Sequence, residues 1–137
     1  MNRINAYDFI GQVVFARWND GYYYPAVVDS IGDYDAKVSY LDGDVGAVKT
    51  QHIVELREAL STFDLQGNWE ERGIFFRGKI SGDDPLVMNY NDGDVEQIEM
   101  KQLRGIRPGE PIIWKRVVGL ALAGIAAGVG IYLIARR

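Results

Sequence analysis

The chain reads as mainly β: two small antiparallel barrels followed by one transmembrane α-helix. Three observations predict this. A segment of about 50 residues occurs twice. Each copy alternates β-branched and aromatic runs with Asx-Gly turns. Near the C-terminus, Val117–Ala135 carries no charged residue.

In the first copy, Gln12–Trp18 and Tyr23–Ile31 are β-branched and aromatic runs. Ala36–Leu41 alternates, with Val38 and Tyr40 on one face and Lys37 and Ser39 on the other, as a half-buried strand requires. Gly46–Lys49 is a short fourth strand. Asn19-Asp20-Gly21 and Asp42-Gly43-Asp44 are hairpin turns, in which glycine supplies the positive φ that other residues resist. The stretch Val54–Phe63 (VELREALSTF) holds good helix formers and predicts one or two helical turns. The second copy has strands near Ile74–Ser81, Leu86–Tyr90 and Glu96–Met100, with a turn at Asn91-Asp92-Gly93. So few residues cannot make a large sandwich, whereas a small barrel hides the edges of its strands. Arg107-Pro-Gly-Glu-Pro is a stiff breaker after the second copy. At 1.5 Å per residue, the uncharged run that follows spans roughly 28 Å, close to the hydrocarbon thickness of a bilayer.

The repeat is clearest at Tyr40-Leu-Asp-Gly-Asp-Val against Tyr90-Asn-Asp-Gly-Asp-Val. Upstream, Gly21-Tyr-Tyr-Tyr-Pro-Ala-Val-Val aligns with Gly73-Ile-Phe-Phe-Arg-Gly-Lys-Ile, which sets Tyr24 against Phe76. Trp18 aligns with Trp69 if one residue is inserted in the second copy.

Charge narrows the partners. Lys115, Arg116, Arg136 and Arg137 flank the apolar run and account for four of the 15 bases, so 11 remain against 19 acids, a balance of −8. Such a surface repels phosphate backbones and attracts cations, so no nucleic acid is expected. The sequence has no cysteine, so neither a disulfide framework nor a zinc-thiolate site can staple it. No apolar run follows Arg3 as a secretory signal would require. A single-pass, tail-anchored protein with its N-terminal portion in the cytosol is the expected topology.

The stretch Gly11-Gln-Val-Val-Phe-Ala-Arg-Trp-Asn-Asp-Gly-Tyr-Tyr-Tyr-Pro-Ala-Val-Val, followed by Val38-Ser-Tyr-Leu-Asp-Gly-Asp, resembles a Tudor domain. Gly67–Ile80 with Tyr90–Glu96 resembles the divergent Tudor/Agenet repeats. The resemblance covers most of residues 11–107. It implies SH3-like barrels at 11–57 and 67–107, separated by a linker at 58–66. Around them lie an N-terminal extension (1–10), a juxtamembrane linker (108–116) and the transmembrane helix (117–135). It also implies binding of methylated Lys or Arg on a protein partner, with Trp18, Tyr24 and Tyr40 as cage walls and Asp42 and Asp44 as polar contacts. Where the family often has a further aromatic, this chain has Val45-Gly46-Ala47, which leaves three walls. The corresponding second site is Trp69, Phe76, Tyr90 and Asp92, with Arg77 beside it to repel a cation.

The physical logic of such a cage stands without the name. Aromatic faces attract a methylammonium through their quadrupoles, and a carboxylate accepts any N–H that remains. In the apolar run, Gly119, Ala123 and Ala127 recur every four residues, as do Gly124 and Gly128, a spacing that lets two helices approach closely as a homodimer.

Other chemistry fits poorly. Aligned on Gly93, an EF-hand loop would place Met88 and Tyr90 at ligand positions; aligned on Gly43, it would place Lys49 at the twelfth position. His52 is the sole histidine, and no serine lies in a nucleophile elbow. No cofactor, metal or enzymatic activity is expected. Two functions follow: a membrane-anchored module that binds a methylated Lys or Arg of a partner, or a scaffold that binds unmodified protein segments with the same aromatics serving as core.

Overall fold

A computed structural model describes residues 9–113. Among them the fold is mainly β, with ten strands joined in one open, antiparallel sheet. The uncharged run 117–135 lies outside the described residues. Among the described residues, no helix is long and apolar enough to cross a membrane.

The two copies share one strand plan. β1 (Val13–Arg17) pairs with β2 (Tyr23–Ile31) and with β5 (Ile53–Glu55); β2 pairs with β3 (Asp35–Tyr40), and β3 with β4 (Val45–Lys49). The second unit repeats this with β6 (Asp64–Asn68), β7 (Phe75–Asp83), β8 (Leu86–Tyr90), β9 (Val95–Gln97) and β10 (Leu103–Ile106), where β6 pairs with β7 and β10, and β8 with β7 and β9. A 3-10 turn precedes the last strand of each unit, at Thr50–His52 and Met100–Gln102. Both long second strands carry a bulge at the same place, between Val28 and Ser30 and between Ile80 and Gly82.

One bridge, Gly105 opposite Tyr23, joins the units. It is possible because β3 ends at Tyr40, opposite Ala26, and leaves the start of β2 uncovered. Pro25 sits at this handover. It lacks a backbone N–H, so it is tolerated where one partner strand stops and the next has not begun; its carbonyl still accepts from Leu41 N–H at 3.0 Å.

Between the units lies α1 (Leu56–Thr62). The Glu55 carboxylate caps it by accepting from the N–H groups of Arg57 and Glu58 at 2.9 and 3.2 Å. Ala59 faces inward with no exposed surface, and Phe63 closes the helix into the core.

Two apolar clusters result. One is local to the first unit and gathers Val14, Ala16, Val28, Val38, Tyr40 and Ile53 among others. The other crosses the boundary: Phe15, Tyr23 and Val54 of the first unit pack with Phe63, Leu65, Phe76, Met88 and Leu103. β1 therefore buries both faces, Val14 and Ala16 toward one cluster and Phe15 toward the other. The two copies thus bury apolar surface against each other across their boundary.

The breaker does not swing free. Glu110 N–H bonds Arg107 O at 3.0 Å, and the chain then lies along the β1–β2 turn: Arg17 Nη2 donates to Pro111 O at 2.7 Å and Ile113 N–H to Asp20 O at 2.8 Å. A side chain at Gly21 would meet Ile112 Cα at 2.7 Å, so only glycine admits this strap.

Candidate functional site

The five residues expected at the first site come together. Trp18 follows the end of β1, Tyr24 stands on β2, Tyr40 ends β3, and Asp42 and Asp44 occupy the β3–β4 turn. With Asp20 and Phe75 they line a cavity of about 230 Å³. Trp18 and Tyr40 meet edge to face, with centroids 5.0 Å apart and planes at 83°. Tyr24 meets Tyr40 at 6.5 Å and 85°. Such contacts fix ring orientation as well as burying area.

Local hydrogen bonds hold the walls. Asp20 accepts twice, from Tyr22 N–H at 2.9 Å and from the Tyr24 hydroxyl at 2.7 Å. The Tyr40 hydroxyl donates to Arg17 O at 2.8 Å. In the turn, Asp42 accepts from Asp44 N–H at 3.1 Å, and Gly43 takes φ +106°. Tyr40 is buried, Trp18 and Tyr24 are half-buried, and Asp42 and Asp44 are exposed at the rim.

Three carboxylates line the cavity, and the Arg104 guanidinium, 3.5 Å from the Tyr24 hydroxyl, offsets part of their negative charge. Burial raises the Tyr40 phenol well above its usual range, and Asp20, Asp42 and Asp44 add to the rise. Burial likewise raises Tyr24; Arg104 opposes the shift and Asp20 reinforces it. Both rings therefore stay neutral far into alkaline conditions. Neutral, electron-rich rings beside carboxylates suit a cation.

Asp20 and Phe75 were not foreseen. Asp20 read only as a turn residue. Phe75 comes from the second unit and reaches the cavity because β10 joins β2. Its ring is held by Arg104, whose guanidinium lies between Tyr22 (3.8 Å) and Phe75 (3.9 Å) and donates to Gln66 Oε1 at 2.7 Å.

The second set also clusters. Trp69 meets Phe76 at 6.4 Å, and Phe76 meets Tyr90 at 6.4 Å. Asp92 occupies the β8–β9 turn and accepts from Asp94 N–H at 3.1 Å. Here the chain's own charges engage the cluster. Glu96 accepts from the Tyr90 hydroxyl at 2.8 Å and from Glu70 N–H at 2.9 Å. Arg72 lies over the Trp69 ring at 5.1 Å and pairs with Glu70 at 2.8 Å. Arg77, expected beside the site, pairs with Asp64 at 3.4 Å. The inserted residue falls in the loop after Trp69: Trp18 N–H bonds Tyr22 O, whereas Trp69 N–H bonds Ile74 O one residue farther along. Glu70 and Glu71 take φ of 51° and 57° there.

A larger, more open groove of about 690 Å³ runs between Thr62–Leu65, Gly78–Lys79 and residues 106–111. Its Arg107 and Glu110 pair with each other at 3.4 Å. Among the described residues, no group of three or more His, Cys, Asp or Glu could hold a metal ion. Gly119, Ala123, Gly124, Ala127 and Gly128 lie outside the described residues.

A scan against protein-family models finds no match for the chain, and a search of curated proteins finds none. The resemblance to Tudor/Agenet repeats with a C-terminal anchor is accordingly corrected: no family membership is assigned, and no membrane-crossing helix occurs among the described residues. The physical reason lies in the motif itself. Its glycines, Asx turns and alternating aromatics are what any short, coiled antiparallel hairpin needs, so they specify local geometry rather than descent.

Proposed function

We propose that the first unit's cavity binds a cationic side chain, a Lys or Arg in methylated form, presented by a protein partner. One observation carries this reading: Trp18, Tyr24, Tyr40 and Phe75 share a single cavity with Asp20, Asp42 and Asp44. Methylation strips hydration from an ammonium or guanidinium and so favours its transfer to aromatic walls; the acids favour the positive charge and accept a remaining N–H. The second cluster, engaged by Arg72 and Glu96, serves as support.

Titration of the protein with methylated and unmodified Lys and Arg peptides, followed by tryptophan fluorescence, tests this. Preference for the methylated peptide, abolished by Trp18→Ala, supports the cage. Equal affinity for both forms points to the second reading, a scaffold for unmodified segments, which is favoured by the burial of Tyr40 and the use of its hydroxyl within the fold.

We also read each five-strand unit as a small, partly open barrel: in the orders β5-β1-β2-β3-β4 and β10-β6-β7-β8-β9 the long second strand carries a bulge, which bends the sheet toward closure. Attachment of the module to the cytosolic side of a bilayer rests on the uncharged run at residues 117–135 alone. Retention on liposomes in alkaline carbonate tests it.

A further inference from the structure

The first unit ends in an open strand edge that adjoins the cavity. Among the described residues β4 pairs with β3 only, in the register Asp35–Lys49, Lys37–Ala47 and Ser39–Val45. Tyr40 N–H donates to Asp44 O at 2.7 Å, which fixes the phase of the ladder. Hydrogen-bonded pairs alternate in an antiparallel ladder, so Val38–Gly46 and Ala36–Val48 face each other through hydrogen bonds. The opposite edge of β3 agrees: Leu41 N–H donates to Pro25 O, which commits the odd-numbered residues of β3 to β2. The N–H and C=O groups of Val45, Ala47 and Lys49 therefore point outward, away from the sheet.

The side chains follow the other alternation. Val45, Ala47 and Lys49 are exposed, and Val45 at 71% is an uncovered large apolar residue. Gly46 lies on the cavity face. A Cβ there would meet Tyr40 Cε2 at 3.4 Å and Trp18 Cζ3 at 3.6 Å, so the Gly46 backbone rests against two cavity walls. A strand laid beside β4 would have its residue opposite Gly46 on that same face, because cross-strand neighbours share a face. That residue would project toward Trp18 and Tyr40, over a place where β4 offers no side chain.

We propose that the partner binds as an extended strand on β4, hydrogen-bonded to the outward groups of Val45, Ala47 and Lys49, with a Lys or Arg opposite Gly46 entering the cavity and apolar neighbours covering Val45. This deepens the cation-binding reading and rests on it. Charge complementarity selects the occupant: Asp20, Asp42 and Asp44 surround the point of entry. Backbone pairing gives affinity and the single pocket gives specificity, a division of labour common to strand-addition complexes. The second unit lacks this arrangement. Its edge strand β9 has three residues against five in β4, and Glu96, paired with Met88, takes the place that Gly46 holds opposite Val38.

The test compares two probes on the full chain: free dimethyl-lysine and a short valine-flanked peptide carrying one dimethyl-lysine. The variants are Ala47→Pro and Trp18→Ala. Proline at 47 removes an N–H that makes no bond to β3, so the native ladder stays whole while the outer edge is blocked; an unchanged melting temperature confirms this. The expected result is that the peptide binds about tenfold or more tightly than the free amino acid, as one or two added hydrogen bonds allow. Ala47→Pro erases that advantage and leaves the free amino acid's affinity unchanged, while Trp18→Ala weakens both probes. If Ala47→Pro leaves peptide affinity intact, strand addition is overturned and the cavity reading survives. If neither probe binds, both fall.

Discussion

Gly46 and Glu96 hold the same place in the two units, each across the edge hairpin from a buried residue, Val38 and Met88 respectively. Glycine leaves the Trp18 and Tyr40 rings bordering a cavity. Glutamate sends a carboxylate to the Tyr90 hydroxyl and the Glu70 N–H. The residue at this place is thus one of the differences between the clusters: the first leaves a cavity beside its rings, whereas the second brings a carboxylate to the Tyr90 hydroxyl.

Gly46→Gln should close the first cavity. Gly46 has ordinary extended-strand neighbours, and a Cβ there makes normal contact, so the strand should persist. Glutamine copies the shape of Glu96 without adding an attractive charge. The affinity for a dimethyl-lysine peptide should fall about tenfold or more, with the melting temperature held within a few degrees. Conversely, Glu96→Gly removes the acceptor of the Tyr90 hydroxyl and should destabilise by about 1–3 kcal/mol in urea.

Arg104 should matter to both stability and binding. Its guanidinium is sandwiched by Tyr22 and Phe75 and bonded to Gln66, a nearly buried amide. Arg104→Ala removes two cation–π contacts and the Gln66 partner, together worth about 2–4 kcal/mol. It also frees Phe75, a cavity wall, so ligand affinity should drop even at temperatures where the variant is folded. Arg104→Lys should rescue little, because an ammonium cannot stack between two rings. Urea melts and fluorescence titration of the two variants check this.

Much of the plan was legible because it is local. The bounds of β2 match the run Tyr23–Ile31, β3 and β4 fall within a residue of their alternating segments, and α1 lies inside Val54–Phe63. The gathering of Trp18, Tyr24, Tyr40, Asp42 and Asp44 follows from the same alternation and turns. β5 and β10 were missed because three or four residues carry too little period to read. β6 was missed because its buried positions include Gln66 and Gly67, which do not look apolar. Phe75 and the shared core depend on the Gly105–Tyr23 bridge, a long-range pairing that no local pattern encodes.

Gly78 and Ala26 stand in equivalent pairs, opposite Tyr90 and Tyr40, yet only one tolerates a methyl group. A Cβ at Gly78 would collide with the Asn89 carbonyl and meet Met88 Cε and Tyr90 Cα at 2.9 Å. Backbone cannot yield as a side chain can. Gly78→Ala should cost about 1–3 kcal/mol, read as a lower urea midpoint, because the β8 backbone lies where the added methyl must go.

Tyr23 should give the fold an alkaline limit. Its buried hydroxyl donates to Glu110 at 2.6 Å, and burial first, then this carboxylate, push its pKa from 10.0 up to about 12. Arg107 pulls the other way without cancelling the rise. The folded state keeps a proton that the unfolded chain gives up, so this contribution is whole below about pH 10 and disappears as pH climbs through about 12. Tyr23→Phe removes the titration along with the hydrogen bond. At pH 8 the variant should be less stable than the parent by about 1 kcal/mol. At pH 11 the parent has lost part of its advantage while the variant has not lost that share, so the gap should narrow or reverse. Tyr24 and Tyr40 titrate in the same direction in both proteins and cancel from the comparison. Urea midpoints of the two proteins across pH 8–11 measure the gap, and one that stays constant would mean that Tyr23 titrates alike in the folded and unfolded chain.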